Sequence, residues 1–344
     1  MIDGALIWEW IIKAALLTFV LLTGFAYTTF YERKLAARIQ VRLGPNRVGP
    51  GGWLQPAADG LKLIFKEEFI PAKADKFLFV LAPIITVIPA IVIMAVVPWG
   101  TTASIFGREV FLGIADINVG VLYILSVASI AVYGITLAGW ASNNKYAMMG
   151  GLRSAAQMVS YELALGLSFV GSIMLTSAFM PEGSLGLGDM IQAQANSVWF
   201  IVFQPVGFVI FLIAALAEVN RSPFDIPEAE QELTAGFHTE YSGMKFSLFF
   251  MAEYIKMAAV SAIGACLFFG GYRGPWVDAV PLLGPLYLFI KVLIGLGLMI
   301  WIRATMPRIR YDRLMAFGWK FLLPLALANV FITAVVIVLL DSLK

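Results

Sequence analysis

Long apolar runs alternate with short polar segments along the whole chain. Each run has about the 20 residues that an α-helix needs to cross the hydrocarbon core of a bilayer. Because backbone polar groups in lipid must be satisfied within the segment itself, we predict that each run forms a helix. The eight predicted spans lie near residues 11–30, 77–97, 120–140, 155–180, 198–219, 246–270, 285–302 and 321–340. The pattern predicts an all-α integral membrane protein with a single membrane domain over residues 1–344, in which Pro205 can kink one helix.

Lysine and arginine are distributed unevenly between the loops that connect these spans. The segment 32–76 holds nine of them, and every second loop after it carries further cations. The loops on the opposite side offer only Arg108 and Arg273. The positive-inside rule therefore predicts that the first set of loops faces the cytoplasm or matrix and that both termini lie outside.

Composition agrees with the membrane class and limits the chemistry of the chain. Of its 344 residues, 60% are hydrophobic and 13% are charged, whereas about 25% are charged in a typical soluble domain. The first run has the length of a full span, so we expect no cleaved signal peptide. One cysteine, Cys266, and one histidine, His238, are too few for an iron–sulfur cluster, a haem or a zinc site within this chain. The sequence also lacks the glycine motifs of dinucleotide and P-loop sites.

The first inside loop contains a shaped turn and a predicted amphipathic helix. Glycine and proline residues restrict the path of the chain over residues 44–52. Over residues 53–69 the apolar positions follow helical spacing on one face. The polar positions on another face are Gln55, Asp59, Lys62 and Lys66. This helix is too short and too polar to span, so we expect it to lie in the membrane interface. Its polar face is either simply solvated or lines a wall for a neutral polar headgroup.

A charged triplet, Glu32, Arg33 and Lys34, directly follows the first predicted span. Cations at the membrane edge commonly extend towards the headgroups, so Arg33 and Lys34 are explained by an interfacial anchor. Glu32 adds nothing to such an anchor. A binding role for the triplet is therefore the alternative interpretation.

The third inside loop, residues 218–245, carries an excess of carboxylates. Its acidic residues are Glu218, Asp225, Glu228, Glu230, Glu232 and Glu240. Only Arg221 and Lys245 oppose them. Glu228 and Glu232 share a face if this stretch is helical, and like charges at that spacing favour proton uptake. Such coupled carboxylates can exchange protons near neutral pH, and an acidic docking surface for a basic partner is the alternative.

Ionisable residues inside the predicted spans are few. A charge in lipid is costly, so a functional role is the default interpretation and a structural ion pair is the alternative. Glu162 has no oppositely charged neighbour in its own helix, which favours proton transfer. Glu253 and Lys256 lie one turn apart, where both roles remain open. Lys291 can lie near the outer interface and merely extend towards the headgroups.

Four long motifs occur in order along the chain. They are YERKLAARIQVRLGPNRVGPGGWLQPAADGLKLIFKE, MVSYELALG, AEVNRSPFDIPEAEQELTAGFHTEYSGMKFSLFFMAEY and WIRATMPRIRYDRLM. Together with the eight predicted spans, they resemble the family of quinone-binding membrane subunits of respiratory complex I, called the H subunit in bacteria and NADH dehydrogenase subunit one in mitochondria. These motifs are far more specific than hydropathy, and the chain shows no departure from the family pattern.

The resemblance implies a membrane subunit of the proton-pumping NADH:quinone oxidoreductase that forms part of a quinone chamber. The flavin and the iron–sulfur clusters would belong to peripheral-arm partners, which deliver electrons to ubiquinone, or to menaquinone, entering from the bilayer. This chain alone would bind no metal, flavin or cluster, and none of its residues resembles a catalytic nucleophile. Small and antiporter-like membrane subunits are the other implied partners, and no nucleic acid is expected to bind.

The resemblance also assigns roles to residues of the inside loops and spans. The predicted quinone chamber or entrance comprises Glu32, Arg33, Arg42, Gln55, Asp59, Lys62, Lys66, Glu67, Phe224 and Arg303. The predicted proton path comprises Glu162, Glu218, Asp225, Glu228, Glu230, Glu232, Glu240, Glu253 and Lys256. Arg308 and Asp312 resemble the last inside-loop motif of the family. Quinone reduction would change the protonation of these carboxylates and so couple electron transfer to proton transfer.

Three other functions are compatible with parts of this pattern. One is the related anchor subunit of a membrane-bound hydrogenase or formate-linked complex, which lacks the quinone. Another is a stand-alone proton or cation transporter, and the third is a purely structural anchor for a soluble complex. The extended first motif and the long acidic loop favour the quinone-binding family. We expect the chain in a bacterial inner membrane, with the inner mitochondrial membrane as the alternative.

Overall fold

The computed structural model describes residues 4–105, 107–180, 183–226 and 235–342. Within these ranges the chain is α-helical apart from one short hairpin. The helices are α1 Gly4–Ile39, α2 Gln55–Ile64, α3 Lys76–Ile93, α4 Gly120–Ala141, α5 Lys145–Phe179, α6 Leu187–Asn196, α7 Phe200–Phe203, α8 Pro205–Glu218, α9 Gly243–Phe268, α10 Leu283–Thr305, α11 Tyr311–Phe317 and α12 Leu323–Ser342. A π-helical turn, Gly318–Leu322, joins α11 to α12. The hairpin pairs β1, Thr102–Ile105, with β2, Arg108–Phe111, in antiparallel register.

Seven helices of the described residues are long and apolar enough to cross a membrane. They are α1, α3, α4, α5, α9, α10 and the continuous helical segment from α11 through α12. This makes the chain an α-helical membrane protein with several spans. The segment predicted near 198–219 differs, because it is divided between α7 and the shorter apolar helix α8.

The division between α7 and α8 falls at Gln204, directly before Pro205. The backbone of Gln204 is not helical, since its φ is −127° and its ψ is 51°. Proline lacks an N–H donor and disfavours a helical residue before it, which explains a break at this position. Helix α12 binds the side chain of Gln204, whose amide donates to Thr333 Oγ1 at 2.5 Å and accepts from Asn329 Nδ2 at 2.8 Å.

Two helices extend well beyond the apolar runs that predict them. Helix α1 has 36 residues and α5 has 35, so each is about 53 Å long at 1.5 Å per residue. The hydrocarbon core is only about 30 Å thick. Residues 32–39 and 145–154 are helical, and they continue the spans into the loops predicted to lie inside.

The bundle has a central pair and a peripheral pair of helices. In the most apolar part of α5 and of α9, 56% of the residues are buried, whereas the values are 11% for α1 and 17% for the last span. Helix α5 packs against α4, α8 and α12, and α9 packs against α1, α3 and α10. The large apolar side chains that α1 and α12 expose are suited to contact with lipid.

The end of the bundle predicted to face outside carries two elements that hydropathy does not predict. The β1–β2 hairpin turns at Gly107, whose positive φ of 77° suits a tight turn. The second element is helix α6, which is amphipathic and packs on α5 and α9. Lys13 of α1 donates to the carbonyl of Phe111 at 2.7 Å and so fastens the hairpin to the bundle.

Candidate functional site

One buried amide from α5 contacts the loop that follows α8 at three points. Gln157 is fully buried, and its Nε2 donates to the carbonyls of Ala217 at 2.9 Å and Phe224 at 2.7 Å. The same Nε2 lies 3.2 Å from Oδ1 of Asn220, whose φ of 58° turns the chain out of the helix. These contacts set the position of Arg221, which points into the bundle.

Arg221 is the centre of a buried group of charges. Only 4% of its surface is exposed, and its Nη1 and Nη2 donate to the two carboxylate oxygens of Glu32 at 3.2 and 3.1 Å. Its Nε lies 2.5 Å from Oε1 of Glu253, and the guanidinium lies 4.5 Å from the ring centroid of Tyr254. Burial alone would lower the pKa of Arg221, but the charges of Glu253, Tyr254 and Glu32 outweigh burial and raise it. The guanidinium is therefore permanently charged.

Glu32 is shared between two arginines. Arg303, at the inner end of α10, also donates to Oε1 of Glu32. We call Glu32, Arg221, Glu253 and Arg303 the Arg221 cluster. It joins α1, the loop after α8, α9 and α10 at one end of the bundle. Buried charges are stable only when they are paired. The buried Arg221 guanidinium has two carboxylate partners, although its Nε contact with Glu253 lacks hydrogen-bond geometry, and Arg303 is exposed.

Asp225 lies beside the Arg221 cluster, where burial and nearby arginines have opposite effects on its carboxyl group. Arg308 donates to both its main-chain oxygen and its carboxylate, the latter at 3.0 Å. The other carboxylate oxygen, Oδ1, is buried without a hydrogen-bond partner among the described residues. Burial raises the pKa of Asp225, and Arg308 opposes this effect without cancelling it. This carboxyl group therefore takes up a proton more easily than an exposed aspartate.

A second set of ionisable residues includes Lys256, one turn further along α9, and two of its three members are buried. It comprises Glu162 of α5, Glu218 at the end of α8, and Lys256 of α9, and we call it the Glu218 group. The charges of Lys256 and Glu162 both act on Glu218. Glu218 is 5% exposed and Lys256 is 6% exposed. The Glu218 Oε2 atom has no hydrogen-bond partner among the described residues, and Glu162 accepts a hydrogen bond from the hydroxyl of Ser129.

Helix α2 forms over the predicted amphipathic stretch, but it is shorter than predicted. It spans residues 55–64 instead of 53–69, so Lys66 lies beyond its end. Asp59 is the centre of its polar side, where Arg33 Nη1 lies at 2.6 Å and Gln55 Nε2 at 3.0 Å. Lys62 is exposed. The apolar side of α2 is exposed as well, including Leu61 at 56% and Ile64 at 59%.

The remaining predicted site residues are scattered. Arg42 is exposed and its Nε donates to Gln40 at 2.7 Å, and Glu67 is exposed beyond α2. Glu240 accepts from Asn144 Nδ2 at 2.7 Å, at the start of α5. Phe224 is buried with its ring 5.6 Å from that of Tyr161. The predicted path residues Glu228, Glu230 and Glu232 lie outside the described residues, and Asp312 forms an exposed pair with Arg310 at 3.3 Å.

Two interpretations of charged residues inside the spans need correction. The ion pair considered for Glu253 and Lys256 is wrong, because Glu253 pairs with Arg221, which the loop after α8 brings to it. Lys291 does not extend towards the headgroups. Its Nζ donates to the carbonyls of Phe269, Gly271 and Arg273 at 2.7, 2.6 and 2.8 Å, and so satisfies acceptors at the end of α9.

Sequence reasoning misses the two residues that organise the site, Arg221 and Gln157. In the sequence, Arg221 is only a minor cation of the acidic loop. A single arginine between two helix ends in an otherwise acidic segment is a signal that could have marked it. Gln157 carries no such signal, since a glutamine inside a long helix gives no indication of its partners. No group of histidine, cysteine, aspartate or glutamate in the described part of the chain has a metal-binding arrangement.

Comparison with known proteins gives a consistent result over nearly the whole chain. A family model described as NADH dehydrogenase matches residues 12–334. One of the two H subunits of NADH-quinone oxidoreductase in Geobacter metallireducens is 53% identical over 327 residues, covering 95% of this chain and 96% of that protein. The corresponding H subunit of Protochlamydia amoebophila is 52% identical, with 91% and 92% covered. That of Thermomicrobium roseum is 49% identical, with 96% and 97% covered.

Proposed function

Because the chain belongs to the NADH dehydrogenase family, we propose that it is the H subunit of an NADH:quinone oxidoreductase and couples quinone reduction to proton translocation. It contributes to an oxidoreductase without carrying a redox centre of its own. The observation that carries the proposal is that one helix, α9, contributes a residue to both the Arg221 cluster and the Glu218 group. Glu253 of the cluster and Lys256 of the group lie one turn apart on α9.

The quinone chamber lies between α2 and the Arg221 cluster. The polar side of α2 offers a carboxylate, an amide and cations, a mixed set that suits a neutral headgroup with two carbonyl oxygens. Its exposed apolar side suits a long hydrocarbon tail. Glu32 and Arg33 are neighbours on α1, so the cluster and the Asp59 contact are one residue apart along that helix. Arg42, Lys62, Lys66, Glu67 and Phe224 complete the walls, and the substrate is ubiquinone or menaquinone.

The chemistry of the substrate explains the need for buried carboxylates. A quinone takes up two electrons and two protons when it becomes a quinol, and the electrons arrive from an iron–sulfur cluster of a partner subunit. The charge that develops at the headgroup acts on Asp225 and the Arg221 cluster. Carboxylates that take up or release a proton in response pass the change along α9 to the Glu218 group. Glu228, Glu230, Glu232 and Glu240 belong to the same path.

The membrane arrangement follows from the same proposal. The segment formed by α7 and α8 crosses as an eighth span beside the seven long helices, and helix α2 lies in the plane of the inner interface. Both termini lie outside. The peripheral-arm subunits dock on the inside loops, and small and antiporter-like membrane subunits pack beside the bundle. The membrane is a bacterial inner membrane.

Proton coupling is tested with Glu162→Gln in the whole complex reconstituted in vesicles. The amide keeps the size of the side chain and the hydrogen bond from Ser129, but it cannot exchange a proton. We expect the complex to assemble and both quinone reduction and proton pumping to fall. Ser129→Ala serves as the matched control, since it removes the hydrogen bond and leaves the carboxylate. Assembly with pumping at the native rate would exclude Glu162 from the path.

The quinone site is tested by photo-crosslinking with an azido-quinone in the purified complex. We expect labelled peptides from residues 55–66, and we expect excess unlabelled quinone to prevent the labelling. Purification of the chain without flavin and iron–sulfur absorbance would instead favour a stand-alone transporter. A complex whose label falls only on other subunits would contradict the proposed chamber.

A further inference from the structure

His238, the single histidine of the chain, is buried and lies outside the Arg221 cluster and the Glu218 group. It ends a short 3-10 turn, Gly236–His238, before α9. The rings of Phe237, Phe246 and Phe250 surround it at centroid distances of 4.8, 5.3 and 6.1 Å. Burial lowers the pKa of His238 to about 4. The imidazole is therefore neutral at physiological pH, with one nitrogen that donates and one that accepts.

The Nδ1 atom of His238 is buried and has no hydrogen-bond partner among the described residues. A polar atom left in that state costs free energy comparable to a lost hydrogen bond, so native proteins rarely tolerate it. Three aromatic rings cannot satisfy it in place of a donor or an acceptor. The usual solution for such an atom is an ordered water molecule.

A cavity adjoins this histidine and has the size that water requires. Its volume is about 30 Å³, which is enough for water and about a tenth of a small-ligand pocket. Its polar lining comes from Thr86, Asn220, His238, Glu253 and Lys256. The cavity therefore touches the Arg221 cluster through Glu253 and the Glu218 group through Lys256.

We propose that this cavity holds water that hydrogen-bonds His238 Nδ1 and reaches Glu253 and Lys256, which makes His238 a positioning residue of the proton path. The inference rests on the proposed function, because it extends the step between Glu253 and Lys256. Both residues project from α9 one turn apart, but Glu253 forms its ion pair with Arg221. Water in the cavity gives protons a route between them, and the Nδ1 atom keeps that water in place.

The test compares three substitutions in the intact complex reconstituted in vesicles. His238→Phe keeps a ring of similar size but removes the nitrogen, and we expect proton pumping driven by NADH to fall about tenfold, as for loss of one hydrogen bond. His238→Asn places an amide near the position of Nδ1, and we expect pumping within about twofold of the native rate. Phe246→Leu removes a ring contact with His238 and should leave the rate unchanged, so it controls for packing. If His238→Phe prevents assembly, His238→Leu is measured instead.

The outcomes separate this inference from the proposed function. Native pumping in His238→Phe, or pumping in His238→Asn as low as in His238→Phe, would overturn the water site. Glu253→Gln is measured in parallel. If Glu253→Gln is impaired while His238→Phe is native, the path stands and only the water site is wrong. If Glu253→Gln pumps at the native rate, the path through Glu253 is wrong and the water site falls with it.

Discussion

The Arg221 cluster and the Glu218 group each contain two buried charged residues, yet their partners differ. Glu32 receives two arginines, and Glu253 lies 2.5 Å from one of them. In the other set, one oxygen of Glu218 has no hydrogen-bond partner in the described part of the chain, and Glu162 accepts from the hydroxyl of Ser129. The two sets therefore differ in the partners that neutralise their carboxylates.

The difference follows from the distance between opposite charges. A guanidinium in contact with a carboxylate favours the charged form of that carboxylate, and loss of the charge would leave the arginine with one partner fewer. A buried carboxylate without such a contact is costly when charged, so it takes up a proton more easily. In the Arg221 cluster, a change of protonation at Glu253 acts on the ion pairs that join four elements. In the Glu218 group, it acts on a carboxylate with one oxygen that has no hydrogen-bond partner among the described residues.

The largest effect is expected from removal of Arg221. Arg221→Met leaves Glu32 and Glu253 buried without their shared partner, which should destabilise the folded chain by about 3–5 kcal/mol. The measurement is the amount of assembled complex and its thermal midpoint. Arg221→Lys keeps the charge but not the two-pronged contact, so a smaller loss is expected. Full assembly of Arg221→Met would show that the cluster does not hold the fold.

His238 provides a buried group that is kept neutral instead of paired. Its pKa of about 4 in the folded protein lies below the usual 6.5. As the pH falls, His238 therefore takes up a proton in the unfolded chain before it does so in the folded protein. The contribution of neutral His238 to the free energy of unfolding is complete above pH 6.5 and is lost towards pH 4. The loss is roughly 3 kcal/mol. Thermal midpoints of the native complex and His238→Asn, measured from pH 7 to 4.5, should diverge, with the native complex losing more. Parallel curves would contradict this assignment.

Glu253→Gln and Glu218→Gln sharpen the comparison within the carboxylates. Glu253→Gln weakens a contact with a buried guanidinium and should cost about 1.5–3 kcal/mol. Glu218→Gln removes a buried charge that lacks a hydrogen bond on one oxygen, so the thermal midpoint should stay the same or rise. Pumping should fall in both variants. An equal loss of stability in Glu253→Gln and Glu218→Gln would mean that the two carboxylates do not differ in how well they are paired.

The smallest effect is expected at the surface, where Arg33 pairs with Asp59. Their side chains are 50% and 32% exposed, and an exposed ion pair contributes under about 1 kcal/mol. Asp59→Asn should therefore leave the thermal midpoint nearly unchanged. Because Asp59 lies on the proposed quinone wall, the KM for quinone should rise. Lys76→Gln, at the start of α3, serves as a charge control that should change neither quantity.

Hydropathy predicts where the long helices lie because burial in lipid leaves the backbone no alternative to a helix. It misses the ends of α1 and α5, whose polar turns are stabilised by packing on neighbouring helices. It also treats the segment around Gln204 as one span, although the break occurs at Pro205. Pattern alone identifies the polar side of α2 at Gln55 and Asp59, because they are one turn apart.

The partners in the site could not be predicted in the same way. Glu32 and Arg221 are 189 residues apart in the chain, and Glu32 and Arg303 are 271 apart. No local period links such positions, and only the packing of four elements brings them together. For the same reason Lys291 could not be assigned, because its three acceptors are main-chain carbonyls, which every residue has.

The length of α1 connects its lipid-facing part rigidly to Glu32 of the Arg221 cluster. The helix is one rod without an internal proline, so its lipid-facing part cannot tilt without moving Glu32. A tilt of about 5° around residue 18 displaces Glu32, about 21 Å away along the axis, by about 2 Å. That displacement is comparable to the 3.1 Å separation between Glu32 and Arg221. Any change in the tilt of α1 within the bilayer therefore changes the geometry of the ion pairs at Glu32.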